Sequence, residues 1–301
     1  MLDRLKSLSK RFRWPPWQPT GPVVPVIRLA GVIGGGGGAL RGEGLSLNAI
    51  NGNIERAFKV RGATAVALAI NSPGGSPVQS ALITDRIRTL AAERELPVLA
   101  FIEDIGASGG YWLALAADEI FADANSLVGS IGVISAGFGL VETMKRFGVE
   151  RRVYTAGEYK SLLDPFRPED QEGVARLRVL LEDAHTNFKA IVHERRGDRL
   201  KGTDAELFEG QVWAGGRALD IGLIDGLGNL HGVLKERFGD ELKMPLMTRP
   251  RPWWQRRFGL GSSMGITMGA GMGTDIGEPR AWIDGTLDSL TERAIWAQYG
   301  L

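Results

Sequence analysis

Short apolar runs alternate along the chain with glycine-rich turns and with stretches of helical periodicity. Residues 23–33 read as a buried strand, with Pro25 near its start. Residues 63–70 (ATAVALAI) are continuously apolar, as expected of a parallel strand covered on both faces. Residues 97–103, 119–122 and 149–154 are further predicted strands. Between them, residues 47–60 read as a helix. Ser76 and Pro77 supply an N-cap and a proline at the first helical position, predicting a helix to about Arg94. An apolar helix is expected over 111–117. A glycine-rich stretch over 129–139 leads into another that ends near Phe147. Over 168–196, Val174, Leu177, Leu181, Ala184, Phe188 and Ile191 step by 3, 4, 3, 4 and 3, which draws one stripe along a long helix. This alternation predicts an α/β fold with a largely parallel sheet. The glycine-rich turns fall at the carboxyl ends of strands, where open α/β sheets hold ligands.

Composition narrows the chemistry. The 301 residues contain no cysteine, which excludes disulfides, thiolate metal sites and a cysteine nucleophile. With three histidines (His185, His193 and His231), neither a His-rich metal site nor a cofactor site is expected. His185 and His193 on the long predicted helix read as exposed or capping residues. A net charge of +1 gives no reason to expect nucleic acid. The charge is unevenly spread: residues 1–20 carry +4 and residues 243–258 carry +5, so the remainder must carry −8. Both basic segments hold tryptophans, Trp14 and Trp17 in one and Trp253 and Trp254 in the other. Cations with interfacial aromatics suit a headgroup layer, so peripheral membrane contact through residues 1–17 and 249–258 is expected. The bland reading is two solvated tails. There is no run of 18 apolar residues and no apolar stretch with a cleavage site after the basic start, so neither a transmembrane helix nor a secretory signal is expected.

Three motifs could carry chemistry. In Gly106-Ala107-Ser108-Gly109-Gly110, a serine follows a strand and opens a helix, whose N-terminus offers free N–H groups to a developing oxyanion. Taken alone, this is an ordinary helix cap. Asn71-Ser72-Pro73-Gly74-Gly75 also lies between a strand and a helix, and Gly74 and Gly75 can present unhindered N–H groups; taken alone, it is a turn. The histidines look wrong for a base, and a neutral lysine can replace one. Lys160, near Tyr154, Tyr159, Leu162 and Leu163, is the candidate, because burial in such surroundings lowers a lysine pKa. Spacing alone does not select it. Glu158 and Asp164 would hold it charged unless they point away.

Taken in order, NSPGG at 71–75, ASGGYW at 107–112, VGSIGVI at 128–134, TAGEYKS at 155–161 and VWAGGRALDIGLID at 212–225 resemble the signal peptide peptidase A family, serine peptidases of class S49. The resemblance spans roughly residues 23–240. It implies a Clp/crotonase-like spiral of ββα units and a ring-like homo-oligomer. Ser108 would be the nucleophile, Lys160 the general base and Ser130 the group that orients that base. Gly74, Gly75 and Gly109 would form the oxyanion hole. Substrates would be remnant signal peptides or other short unfolded or membrane-associated peptides. The alternatives are an NfeD-like membrane-protein-processing protease, a crotonase-like acyl-CoA enzyme and a non-catalytic peptide-binding ring scaffold. Many family members carry an N-terminal anchor. The basic extension here (1–22) departs from that pattern, so a cytoplasmic or peripheral inner-membrane location is expected. Residues 241–301 form the remaining segment, with a short helix expected at its end.

Overall fold

The computed structural model describes residues 21–34, 44–157 and 159–248. The expected membrane-contact segments, the run of glycines after Gly34, Glu158 and the C-terminal helix lie outside these residues. The sheet begins with β1 (Val26–Ala30), β2 (Val66–Ser72), β3 (Val98–Ala107) and β4 (Glu119–Ala122). These strands are mutually parallel, and short β7 (Gly226–Leu227) adds to the far side of β4. β3 is long enough to have two neighbours on one side. Its first half pairs with β4 and its last three residues pair with β5 (Leu127–Gly129). β6 (Val212–Ala214) joins β5 antiparallel. Neither β5 nor β6 is predicted from the sequence, and each is only three residues long.

One face of the sheet is covered by α1 (Leu47–Phe58), α2 (Pro77–Arg94) and α3 (Gly109–Ala114). Ile27, Leu29, Leu68, Ile70, Ala100 and Ile102 point into this layer from the strands. Ser46 caps α1, accepting from the Ala49 N–H at 3.3 Å, and Ser76 caps α2 as the sequence predicts. The opposite face packs Val26, Ala67, Ala69, Leu99, Phe101 and Phe121 against Leu234. Leu234 belongs to α8 (Leu230–Phe238), and the Phe101 and Phe121 rings stack with centroids 5.4 Å apart. β2 is buried on both faces, as its unbroken apolar run requires. Residues 243–246 run along the outer edge of β1, where Val24 and Val26 donate N–H groups to the Lys243 and Pro245 carbonyls.

The region after β5 is built differently. α4 (Val141–Phe147) has no buried residue. Residues 149–154, expected as a strand, join no strand among the described residues, so no ladder forms there. The long helix α5 (Gln171–Arg196) comes next. Of its apolar stripe, only Phe188 is fully buried, stacked on Trp112 of α3 with centroids 4.9 Å apart. The C-terminal end of α5 is locked by Arg196. Its guanidinium donates to both oxygens of Asp225 at 2.7 and 3.0 Å and to the Gly222 carbonyl at 2.9 Å. Short α6 (Asp204–Leu207) and α7 (Gly215–Asp220) complete this end. Among the described residues, no helix is long and apolar enough to cross a membrane.

Candidate active site

β3 does not run evenly alongside β2. Ile70 pairs with Ile102, but Ser72 pairs with Gly106, so Asn71 stands opposite three residues of β3. The bulge bends the strand and re-aims the chain beyond it. Ser108 lies just beyond, at φ 52° and ψ −124°, between the end of β3 and the first residue of α3. A non-glycine residue rarely holds this backbone, which costs on the order of 1–3 kcal/mol and collects at functional sites. Its N–H donates to the Gly129 carbonyl at 2.8 Å and its carbonyl accepts from Trp112 at 3.0 Å, so both sides of the turn are fixed. The hydroxyl makes no capping bond and the residue is half-buried. A strand–serine–helix turn of this form lifts a serine oxygen clear of the backbone for attack.

Ser130 lies at the end of the neighbouring strand. Ala107 pairs with Gly129, so the two serines come directly after paired residues. Ser130 also has a positive φ, 51°, and its N–H donates to the Gln211 carbonyl at 2.6 Å. Gly129 is required beside it. At φ 109°, a Cβ there would come within 2.7 Å of the Trp213 ring.

The NSPGG turn closes over the same point. The Gly74 carbonyl accepts from Ile33 at 2.8 Å, and the Ser76 N–H donates to the Ile33 carbonyl at 2.8 Å. That bridge turns the Gly75 N–H toward α3, since alternate residues of a strand aim their backbone groups to opposite sides. A Cβ built on Gly109 would stand 3.4 Å from the Gly75 nitrogen, so the two glycines face each other. A Cβ on Gly74 would sit 2.8 Å from the Ser108 Cβ and 2.9 Å from the Gly109 nitrogen, filling the space beside the hydroxyl. The three expected oxyanion glycines therefore differ. The Gly74 N–H points to the Ser72 Oγ at 3.3 Å, whereas those of Gly75 and Gly109 bond to nothing among the described residues. Ser72 is fully buried, and its hydroxyl donates to the Gly31 carbonyl at 2.7 Å. It holds the turn in place, a role the motif signals only by containing a serine there.

Lys160 differs from its expectation. Its segment is exposed in the single chain, and the burial expected among Tyr154, Tyr159, Leu162 and Leu163 is not formed. Tyr154 is 91% exposed. The strand expected before it has no edge to join among the described residues. Lys160 makes no ion pair with any described residue. Asp164, which could have held it charged, is turned to Arg151 and the Phe166 N–H instead. The histidines take no part. His193 lies 3.2 Å from Asp204 and edge-on to Phe208. His185 is not exposed as expected: it is half-buried, with a buried Nε2 that has no partner. No cluster of three metal-ligating side chains occurs among the described residues.

Residues 91–239, which run from α2 through the Ser108 turn and Lys160 to α8, match the model of peptidase family S49. The chain belongs to peptidase family S49. Among relatives, the serine protease SPPA, chloroplastic, of Arabidopsis thaliana is 32% identical over 68% of this chain and 30% of its own length. Protease 4 of Haemophilus influenzae is 30% identical over 61% of this chain and 29% of its own length. A protein of Brucella melitensis named Na(+)/H(+) antiporter NhaA is 48% identical over 92% of this chain and 36% of its own length. The chain thus spans about a third of each of these relatives. The α/β fold with a mostly parallel sheet agrees with the expected S49 architecture.

Proposed function

We propose that this S49 chain is a serine endopeptidase with a Ser108–Lys160 dyad. Its proposed substrates are remnant signal peptides and other short unfolded or membrane-associated peptides. The observation that carries the reading is the strained Ser108 turn, beside which the N–H groups of Gly75 and Gly109 have no partner among the described residues. In the first step, neutral Lys160 takes the Ser108 hydroxyl proton as Oγ attacks the substrate carbonyl carbon. Charge on the carbonyl oxygen is received by the two glycine N–H groups, whose positions are fixed before the reaction starts. The C–N bond breaks, Lys160 returns the proton to the leaving amine, and an acyl-Ser108 ester remains. Water then attacks that ester and gives its proton to Lys160. Collapse frees the acid product and restores the Ser108 hydroxyl. Ser130 orients the lysine and exchanges no bond with substrate.

Lys160 must lose its exposure to act. Between β5 and α5, the stretch of chain that carries it, Ile134 is 85% exposed and Phe138 86%, and Phe147 and Tyr154 are also bare. Burying a large apolar side chain is worth about 1.5–3 kcal/mol. In the homo-oligomer we propose, a second copy covers this segment, desolvates Lys160 and brings it to a Ser108. Ion exchange, the activity named for the Brucella relative, is not proposed, because the greater part of that protein lies outside the match.

A fluorophosphonate probe followed by peptide mapping tests the reading. Label on Ser108, lost in Ser108→Ala together with peptide hydrolysis, is the expected result. Normal hydrolysis by a well-folded Ser108→Ala protein would overturn it, and absence of label in the assembled wild type would favour a peptide-binding scaffold.

A further inference from the structure

Both serines of the proposed site are backed by a strand that comes much later in the chain. β6 is three residues long and lies antiparallel to β5, with Val212 opposite Gly129 and Trp213 opposite Val128. It is tied down at both ends. Before it, the Gly210 N–H donates to the Ile131 carbonyl at 3.1 Å, and the Gln211 side chain accepts the Glu209 N–H at 3.0 Å. After it, the Gly216 N–H donates to the Ala124 carbonyl at 3.3 Å, and Gly215 lies so near the Asp123 carbonyl that a Cβ has no room. Between these ties stands Trp213, half-buried and packed against the main core. Its six-membered ring rests on Gly129: a Cβ built there would come 2.7 Å from Cε3 and 2.8 Å from Cζ3. Glycine inside a strand marks a close approach of this kind.

Gly129 is the residue through which the two serines are placed. Its carbonyl accepts the Ser108 N–H at 2.8 Å, and the next residue, Ser130, donates its own N–H to the Gln211 carbonyl at 2.6 Å. Ser108 depends on such support. At φ 52° and ψ −124° it holds a backbone that persists only where its neighbours over-determine it. On its other flank, the bond from the Trp112 N–H lies within the first turn of α3, so the Gly129 carbonyl is what ties the serine to β5. The Gly75 N–H stands on a separate support, the bridge to Ile33, in which neither β5 nor β6 takes part. A shift of Gly129 therefore moves Ser108 relative to one of the two groups that would receive the oxyanion.

We propose that Trp213 is a positioning residue for Ser108: its ring, resting on Gly129, holds in place the β5 carbonyl that fixes the strained serine. The inference rests on Ser108 being the nucleophile. A reacting group must be held to within about 0.5 Å by residues that are themselves locked in place. A misplacement of about 1 Å, caused by a substitution away from the chemistry, can cost about 10²-fold in rate.

The test uses the full chain in its assembled form and takes three readouts: kcat and KM for a peptide, the rate at which a fluorophosphonate labels Ser108, and the melting temperature. Assayed well below its melting point, Trp213→Ala is expected to lower kcat and the labelling rate together by up to about 10²-fold, with KM within a few-fold of wild type. Trp213→Phe restores a six-membered ring and recovers most of the loss. Gly129→Ala drives a methyl into the ring and lowers both rates as well. Joined to Trp213→Ala it costs less than it does alone, because the methyl then has room, and what remains is the strain of a side chain at φ 109°. A tryptophan that merely filled the core would lower the melting temperature and leave both rates unchanged. That result, a loss carried by KM alone, or strictly additive effects of the two substitutions overturns the proposal. Should Trp213→Ala fail to fold, Trp213→Leu, which keeps apolar bulk without a ring, decides by the same two rates. Ser108→Ala is assayed alongside: hydrolysis retained there means that the nucleophile assignment has failed, whatever Trp213 does.

Discussion

The two halves of the proposed dyad sit in parts of the chain made by opposite means. Ser108 stands where a mostly buried strand meets a helix, with Ala107 and Gly109 buried on either side and hydrogen bonds on both flanks. Its backbone is held in a costly conformation because the sheet and the NSPGG turn leave it no other. Lys160 stands on a segment with no strand and with bare aromatic side chains, where Arg151 on Asp164 and Arg176 over the Tyr159 ring take the place of a core. Local order there comes from charge and turns, which keep their shape in water, and not from buried apolar area. On the proposed reading, the Ser108 side is finished within one chain, and the Lys160 side is left for a second copy to close on.

The largest expected effect breaks the comparison outright. Ser108→Ala and Lys160→Ala should each lose activity by several orders of magnitude, since members of a catalytic unit fail together. If Lys160 serves the Ser108 of a second copy, mixing the two inactive proteins and allowing exchange restores measurable hydrolysis. A mixture as dead as its parts, with exchange shown by mass, confines the dyad to one chain. A smaller effect probes the finished side. Gly74→Ala puts a methyl against Ser108 and the Gly109 nitrogen, and a damaged oxyanion site costs about 10²–10³ in kcat. A kcat within a few-fold of wild type would remove Gly74 from the site. The smallest effect on rate, and a large one on stability, comes from Asp225→Asn. Removing one partner of a buried pair costs about 3–5 kcal/mol, and Arg196 is almost wholly buried. Burial raises the Asp225 carboxyl, but the Arg196 bonds outweigh it and lower it overall. The stabilisation is therefore present above the ordinary carboxylate pKa and is lost as pH falls toward the depressed one. Melting curves from pH 7 to pH 3 should converge for wild type and variant. A constant gap would show that the charge is not what matters.

The same contrast sets what the sequence reveals. The α2 cap at Ser76 and Pro77 and the short strand Glu119–Ala122 stand where the sequence puts them, because each is decided by local residues and one buried face. The serine of ASGG is legible as a strand-to-helix turn, yet its strain is not. That depends on the β2–β3 bulge and on the Gly129 carbonyl, which no local pattern contains. β5 and β6 escape notice because three residues carry no periodicity. Residues 149–154 mislead for the reverse reason: Val149, Val153 and Tyr154 favour strands, but a strand also needs an edge, and none among the described residues accepts them. The Arg151–Asp164 pair joins residues 13 apart that no spacing rule connects. The acid reads as an obstacle until its partner is seen.

The bulge in β3 also limits how this protein can change. Asn71 faces three residues of β3, and its side chain donates to Asp104 at 2.6 Å within the irregular stretch. Side chains along a strand alternate between faces, so gaining or losing one residue between Ile102 and Gly106 would turn everything downstream to the other side of the sheet. The hydroxyl of Ser108 would then point into the wrong layer with every nearby residue still present. Substitutions in that stretch alter contacts, whereas a single insertion or deletion there moves Ser108. Along the exposed segment from Ile134 to Gly139 a change of length displaces no strand. Homologues that keep the chemistry should therefore vary in residue type at 103–105 and in residue number only elsewhere.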